Sequence, residues 1–302
     1  MKSRDRIKAD FILILVALIW GSAFVAQRHA ALEMGAFLFN GIRFWVGALV
    51  LLPLFYFTSC DNVKTKEFGR KEFLWVILAG FLLFVASAFQ QFGMKYTTAG
   101  NAGFITGLYV VLIPLFLSVI WREKINVVIW VAAVFSIIGL FLLSTNGNFG
   151  INLGDLLELI GACFWAFHVI LIGRLVNRIE IKKLAIGQYL ICGALSLIFS
   201  LLIEINSLSG IVQSWWAILF TGIVSIGFGY TLQAVGQRFA PAPDAAIILS
   251  LESVFAAFAG WIFLGELLNL QQIMGCMIIF SGMLLAQLAQ FDFRNRSRFD
   301  QK

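Results

Sequence analysis

The chain has 302 residues, 61% of them hydrophobic and only 13% charged, with 31 Phe and 9 Trp, a composition that excludes an ordinary soluble domain and places the protein in lipid. Its net charge of +6 would suit a nucleic-acid partner in a soluble protein, but here the basic residues stand beside apolar runs, where membrane topology accounts for them. Of the four cysteines, Cys60, Cys163, Cys192 and Cys276, none forms a C-x-x-C pair; they read as packing residues, with no disulfide framework or metal site.

Apolar runs near twenty residues, bounded by charge or turn residues, predict ten spanning helices at 9–27, 36–57, 73–94, 100–121, 126–144, 154–173, 184–203, 215–236, 244–264 and 271–290. The first run follows Lys2, Arg4, Arg6 and Lys8, as a cleavable signal would. It reads as a span nonetheless, because Ala9 to Val25 has a counterpart helix later in the chain. The longest polar connection, Thr58 to Glu72, is too short for an appended soluble domain. With the amino terminus inside, inside segments hold 19 of the 22 Lys and Arg, and outside segments hold only Arg28 and Lys95. Positively charged flanks resist translocation, so both termini are expected to be cytoplasmic.

The chain repeats itself. Gln90, Gly93, Lys95, Ala99, Asn101, Ala102, Ile105, Leu108, Glu123 and Gly139 match Gln233, Gly236, Arg238, Ala242, Asp244, Ala245, Ile248, Leu251, Glu266 and Gly282, every pair 143 apart. Earlier positions align at 145, with Asp10 beside Asp155, Ala17 beside Ala162 and Trp20 beside Trp165. The expected domains are 1–148 and 149–302, the second ending in a basic tail. Five spans is an odd number, so the second copy enters the membrane from the opposite side. The fold expected is all-α, ten transmembrane helices as two inverted five-helix repeats around a central cavity, an arrangement associated with secondary transporters. Small residues make matching packing seams, Ala99, Gly103 and Gly107 in one repeat and Ala242, Ala246 and Ser250 in the other.

Leu18 to Val25 (LIWGSAFV), Tyr96 to Ile105 (YTTAGNAGFI), Ala240 to Ala246 (APAPDAA), Leu251-Glu252 and Leu264 to Glu266 (LGE) together resemble the drug/metabolite transporter superfamily, specifically the EamA-type ten-helix transporters. The resemblance covers nearly the whole chain. It implies a cavity between the two halves and export of metabolites. Ser253 departs from the pattern, because many relatives have proline after the glutamate, and this leaves open whether the helix kinks there.

An ionisable side chain at the bilayer centre costs at least about 2.5 kcal/mol unless it faces protein or water, so the few present are candidates for a substrate or ion path. Arg43, in the second span, can bind an anionic group or serve as a paired structural arginine. Glu158 and His168 lie on the sixth span with Trp165 between them, and imidazole exchanges protons near neutral pH. Glu252 is expected near mid-membrane, with Tyr109 at the matching place in the first repeat. Trp20 and Trp165, equivalent positions, are expected to face each other as flat walls for an apolar or aromatic solute. Asn101, Asp244, Gln90 and Gln233 sit near helix ends, where capping is the default role.

No Walker loop, zinc-binding H-E-x-x-H or nucleophile elbow occurs, so no enzyme activity and no cofactor are expected. The reading is a secondary transporter of a small metabolite, an amino acid or related compound, by efflux and alternating access, with protons as a candidate coupling ion. A passive facilitator or channel and a lipid-handling scaffold are the alternatives, and a homodimer is left open. Short loops suit a bacterial or archaeal plasma membrane.

Overall fold

The structure, a computed structural model, describes residues 3–57, 69–122, 127–145, 152–205, 208–240 and 242–299. Readings that concern Lys2, Cys60, Lys64, Lys66, Glu123, Lys124, Pro241 and Lys302 lie outside these residues. All described elements are helical. We number the spans α1 (Ser3–Glu33), α2 (Ala36–Phe57), α3 (Arg70–Gly93), α4 (Ala99–Thr106 and Tyr109–Trp121), α5 (Val127–Thr145), α6 (Leu153–Leu175) and α7 (Ile181–Ile203). After a short turn of helix at Leu208–Gln213 come α8 (Trp215–Leu219, Phe220–Tyr230 and Thr231–Gln237), α9 (Ala242–Leu249 and Glu252–Leu264) and α10 (Leu270–Phe299). Eight spans hold a stretch long and apolar enough to cross a membrane, and the shorter apolar stretches Trp130–Leu143 and Leu270–Leu285 lie in α5 and α10. Ten passes bring both termini to one end of the bundle; the other is called the distal end below.

Local chemistry sets the helix starts. Thr98 caps α4 by accepting from Asn101 N at 3.1 Å, and Asn152 caps α6 by accepting from Gly154 N at 2.8 Å. At the distal end two carboxylates from other helices do the same work. Glu204, past the end of α7, accepts from Phe37 N and Leu38 N at 2.8 Å each, and Glu266, past the end of α9, accepts from Ala99 N at 2.8 Å and Gly100 N at 3.0 Å.

The inverted repeat is visible in the backbone. Both α4 and α9 break near their middles with tightened i to i+3 bonds: Leu108 N to Ile105 O, Val110 N to Gly107 O and Val111 N to Leu108 O recur 143 residues on as Leu251 N to Ile248 O, Ser253 N to Ser250 O and Val254 N to Leu251 O. Each helix then ends on a left-handed residue, Arg122 at φ 56° and Gly265 at φ 64°, again 143 apart. The α9 break therefore forms with serine at position 253. In α4, Pro114 further weakens the ladder.

Packing follows the small residues. A Cβ on Gly103 would strike that of Ala256, and one on Gly107 would strike the Ser253 hydroxyl, so the first seam lies against the second half of α9 and not against its own repeat mate. Ser253 Oγ donates to Gly103 O at 2.8 Å across this contact. On the second seam, Ala242 meets Gly173 of α6. Helices α5 and α10 pack chiefly on each other: a Cβ on Gly139 would lie 2.7 Å from Gly275 O, and one on Gly282 would lie 2.9 Å from Ala132 O. In α8, Phe220–Tyr230 is a π-helix, a form that recurs at functional sites. Glycine permits the wide turn against α2, since a Cβ on Gly222 would lie 3.0 Å from Arg43 O.

Candidate functional site

A cavity with about 470 Å³ of atom-free space, part of it open to solvent, lies between the two halves. Its wall is drawn from α1 (Trp20, Phe24, Gln27), α2 (Arg43), α3 (Gln90), α4 (Thr106, Tyr109), α6 (Trp165, His168, Val169), α8 (Ser225, Tyr230, Gln233) and α9 (Glu252). Of the seven path residues expected from the sequence, Trp20, Arg43, Tyr109, Trp165, His168 and Glu252 meet here. Glu158 does not line the wall; it sits behind it, with Thr106 Oγ1 donating to its Oε2 at 3.4 Å.

The wall is built from repeat pairs. Trp20 and Trp165 come from α1 and α6, Gln90 and Gln233 from α3 and α8, and Tyr109 and Glu252 from α4 and α9. The last two open the second segments of the two broken helices, so each break presents one polar side chain to the cavity. Their side chains meet there, although neither the Tyr109 hydroxyl nor Glu252 Oε1 has a well-formed hydrogen bond.

Arg43 is 3% exposed. Its Nε donates to Asn40 Oδ1 at 3.0 Å, and Asn40 is fixed in turn by donating to Ser87 O at 2.9 Å. The guanidinium carbon stands 4.8 Å from the Phe39 ring centroid and 5.4 Å from that of Phe44, a cation–π setting. Among the described residues no carboxylate is in ion-pair distance of it. The repeat position of Arg43 on α7 is Gln188 (188 − 43 = 145), which accepts from His168 Nε2 at 2.9 Å. His168 Nδ1 has no partner.

Trp20 and Trp165 do not face each other across open space, because Tyr230 stands between them. Its ring centroid is 4.7 Å from Trp20 and 5.8 Å from Trp165, the second pair stacked at 17°. Tyr230 also touches Phe44, His168 and Tyr189 and lies in electrostatic reach of both Arg43 and Glu252. Trp20 Nε1 donates to Ser225 O at 3.2 Å, inside the π-helix, whereas Trp165 Nε1 has no partner. The sequence reading missed Tyr230, whose position on the first repeat is Ser87, so no repeat signal marks it. Gln90 and Gln233, assigned to capping, line the cavity instead. Gln90 donates to Thr106 Oγ1 at 3.2 Å, and both polar atoms of the Gln233 amide lack partners.

The family model described as the EamA-like transporter family matches residues 7–145 and again 152–288. The chain is 32% identical over 287 residues to an uncharacterized transporter of Archaeoglobus fulgidus, spanning 94% of this chain and 87% of that protein. It is 26% identical over 293 residues to the uncharacterized transporter YoaV of Bacillus subtilis, spanning 92% and 96%. A solved crystal structure with 19% sequence identity superimposes at a TM-score of 0.70 over 94% of this chain and 98% of that one, and so shares the fold.

Proposed function

Because the chain belongs to the EamA-like transporter family and is a multi-pass membrane transporter, we propose that it exports a small carboxylate-bearing metabolite, an amino acid or a related compound, by alternating access. The observation that carries the substrate class is Arg43, a buried cation on the cavity wall that lacks a carboxylate partner among the described residues. A buried charge without a counter-charge is costly, and an anionic group of the solute would supply the partner. The rings of Trp20, Tyr230 and Trp165 offer an adjoining apolar surface. Glu252 faces the same space and suits a proton or an ammonium group. The polar lining speaks against a lipid-handling scaffold, whose cavity would be apolar.

The charge distribution favours cytoplasmic termini, so the distal end faces outward; the archaeal and bacterial relatives are consistent with a plasma membrane. The test is transport in proteoliposomes of a panel of amino acids, aromatic carboxylates and their neutral amides, with and without an imposed pH gradient. Carboxylates moving faster than amides, and faster under the gradient, is the expected result. Glu252→Gln is expected to reduce flux at least about tenfold, as loss of one essential proton-exchanging group does, with expression and assembly intact. Equal rates for acids and amides would remove the role assigned to Arg43, and equal rates with and without the gradient would remove proton coupling.

A further inference from the structure

Glu158 is wholly buried on α6, one helical turn deeper than Asp155, which is 2% exposed. Its Oε2 accepts from Thr106, and Thr106 accepts from Gln90, both of which line the cavity. Its other oxygen, Oε1, has no hydrogen-bond partner among the described residues. Toward the distal end the chain of polar groups continues, because Asp155 lies in Coulombic reach of Glu158 and accepts from the Thr97 hydroxyl. Thr97 belongs to the turn that joins α3 to α4. A line of oxygens thus runs from the distal turn past Glu158 to the cavity wall.

The second repeat shows that packing does not require this carboxylate. A Cβ on Gly93 would lie 3.0 Å from Glu158 Cγ and Oε1, and a Cβ on Gly236, its mate 143 residues on, would lie 2.8 Å from Leu13 Cγ and Cδ2. Leu13 is the position equivalent to Glu158 (158 − 13 = 145), and Leu249 is equivalent to Thr106 (249 − 106 = 143). Both leucines are fully buried in the main apolar core. The same glycine-floored socket therefore takes an apolar pair in one half and a glutamate–threonine pair in the other. A carboxylate buried where leucine suffices is expensive in lipid unless it serves an ion.

We propose that Glu158 is a proton-binding site separate from the cavity, filled from the distal side through Asp155 and felt in the cavity through Thr106 and Gln90. This rests on the transporter reading and adds to Glu252 on the cavity wall a second group that holds the coupling ion. Binding forms one O–H bond on Glu158 Oε1, and release breaks it; no other covalent bond changes. A metal ion is a poor fit, since the site offers the two Glu158 oxygens and Thr106 Oγ1, while Gln90 presents its donor side against the six or so oxygens a hard cation takes. Facing groups on the packed elements are uncharged at Glu158 itself: Gly93 and Gln90 on α3 and Thr106 on α4. Asp155 is the ionisable neighbour on α6. Lys95 and Tyr96 are exposed on the adjoining turn, while Tyr109 on α4, Tyr230 on α8, Glu252 on α9 and His168 farther along α6 face the cavity. Thr106 immediately precedes the α4 break, from which Tyr109 projects, so protonation of Glu158 is coupled to the segment that moves a cavity group.

Two measurements test this. Infrared spectra of the purified full-length protein in lipid, followed through a pH titration, are expected to show a carboxyl band that disappears in Glu158→Gln and in Glu158→Leu and persists in Glu252→Gln. In proteoliposomes with phenylpyruvate as the probe, Glu158→Leu together with Thr106→Leu, which places in this socket the residues found at the equivalent positions 13 and 249, is expected to lose the stimulation by a pH gradient. A band unchanged in Glu158→Leu overturns the proposal, as does a band that responds to sodium at fixed pH, and so does undiminished gradient stimulation in the double variant. The infrared arm needs no solute; a wild-type protein that moves nothing in the transport panel while keeping the Glu158 band would sink the carrier reading and leave the proton site standing.

Discussion

Arg43 shows how one side chain can set the chemistry of a cavity. Its Nε bond to Asn40 and the rings of Phe39 and Phe44 fix the guanidinium, so binding of the proposed carboxylate would cost little reordering. Arg43→Gln keeps a polar group there but removes the charge. It is expected to weaken binding of a carboxylate substrate by about 2–5 kcal/mol, the cost of truncating a buried charged partner, and to leave the affinity for the matching amide nearly unchanged; calorimetric titration of both ligands would measure this. Arg43, Glu252 and the two tryptophans could be picked out in the sequence because charge and Trp are rare inside spans or repeat at one offset. Tyr230 could not, since tyrosine is unremarkable in a membrane helix and its mate is Ser87. Gln90 and Gln233 were legible as a pair but not as cavity residues, because proximity to a helix end gave capping an equal claim.

At the scale of elements, the breaks in α4 and α9 place Tyr109 and Glu252 on the cavity wall, and the small-residue seam holds the two broken helices together. Sequence spacing identified the seam but not its partner, because i, i+4, i+8 spacing fixes a face and not what lies across it. The structure places Gly103 against Ala256, whose Cβ cannot rotate away. Gly103→Ala is therefore expected to cost about 1–3 kcal/mol, the usual penalty of overpacking, and to lower the thermal unfolding midpoint in detergent. Gly107→Ala meets movable ends, the Ser253 hydroxyl and Met283 Cε, but displacing the hydroxyl breaks its bond to Gly103 O. The π-helix of α8 had no sequence signal, as its pitch depends on the tertiary fit of Gly222 and its neighbours against α2.

For the molecule as a whole, the ten passes and the inverted duplication were readable because apolar length, charge placement and a fixed repeat offset are physical constraints that act on every span at once. The parity they imply has a direct check. Lys95→Cys is expected to react with a membrane-impermeant maleimide in intact cells and Lys182→Cys only after permeabilisation; the reverse pattern would invert the proposed orientation. The crossing of α5 and α10 carries a different consequence. Exchanging the two halves turns the contact between Gly139 and residue 275 into that between Gly282 and residue 132 (275 − 132 = 143), and these two separations, 2.7 Å and 2.9 Å to the facing carbonyl oxygens, are already nearly equal. Under alternating access this crossing has nowhere to travel. Were the proposed alternating access to operate, this crossing would serve as a fulcrum, and α5 and α10, which lend no side chain to the cavity wall among the described residues, as the beam on which the other eight helices tip.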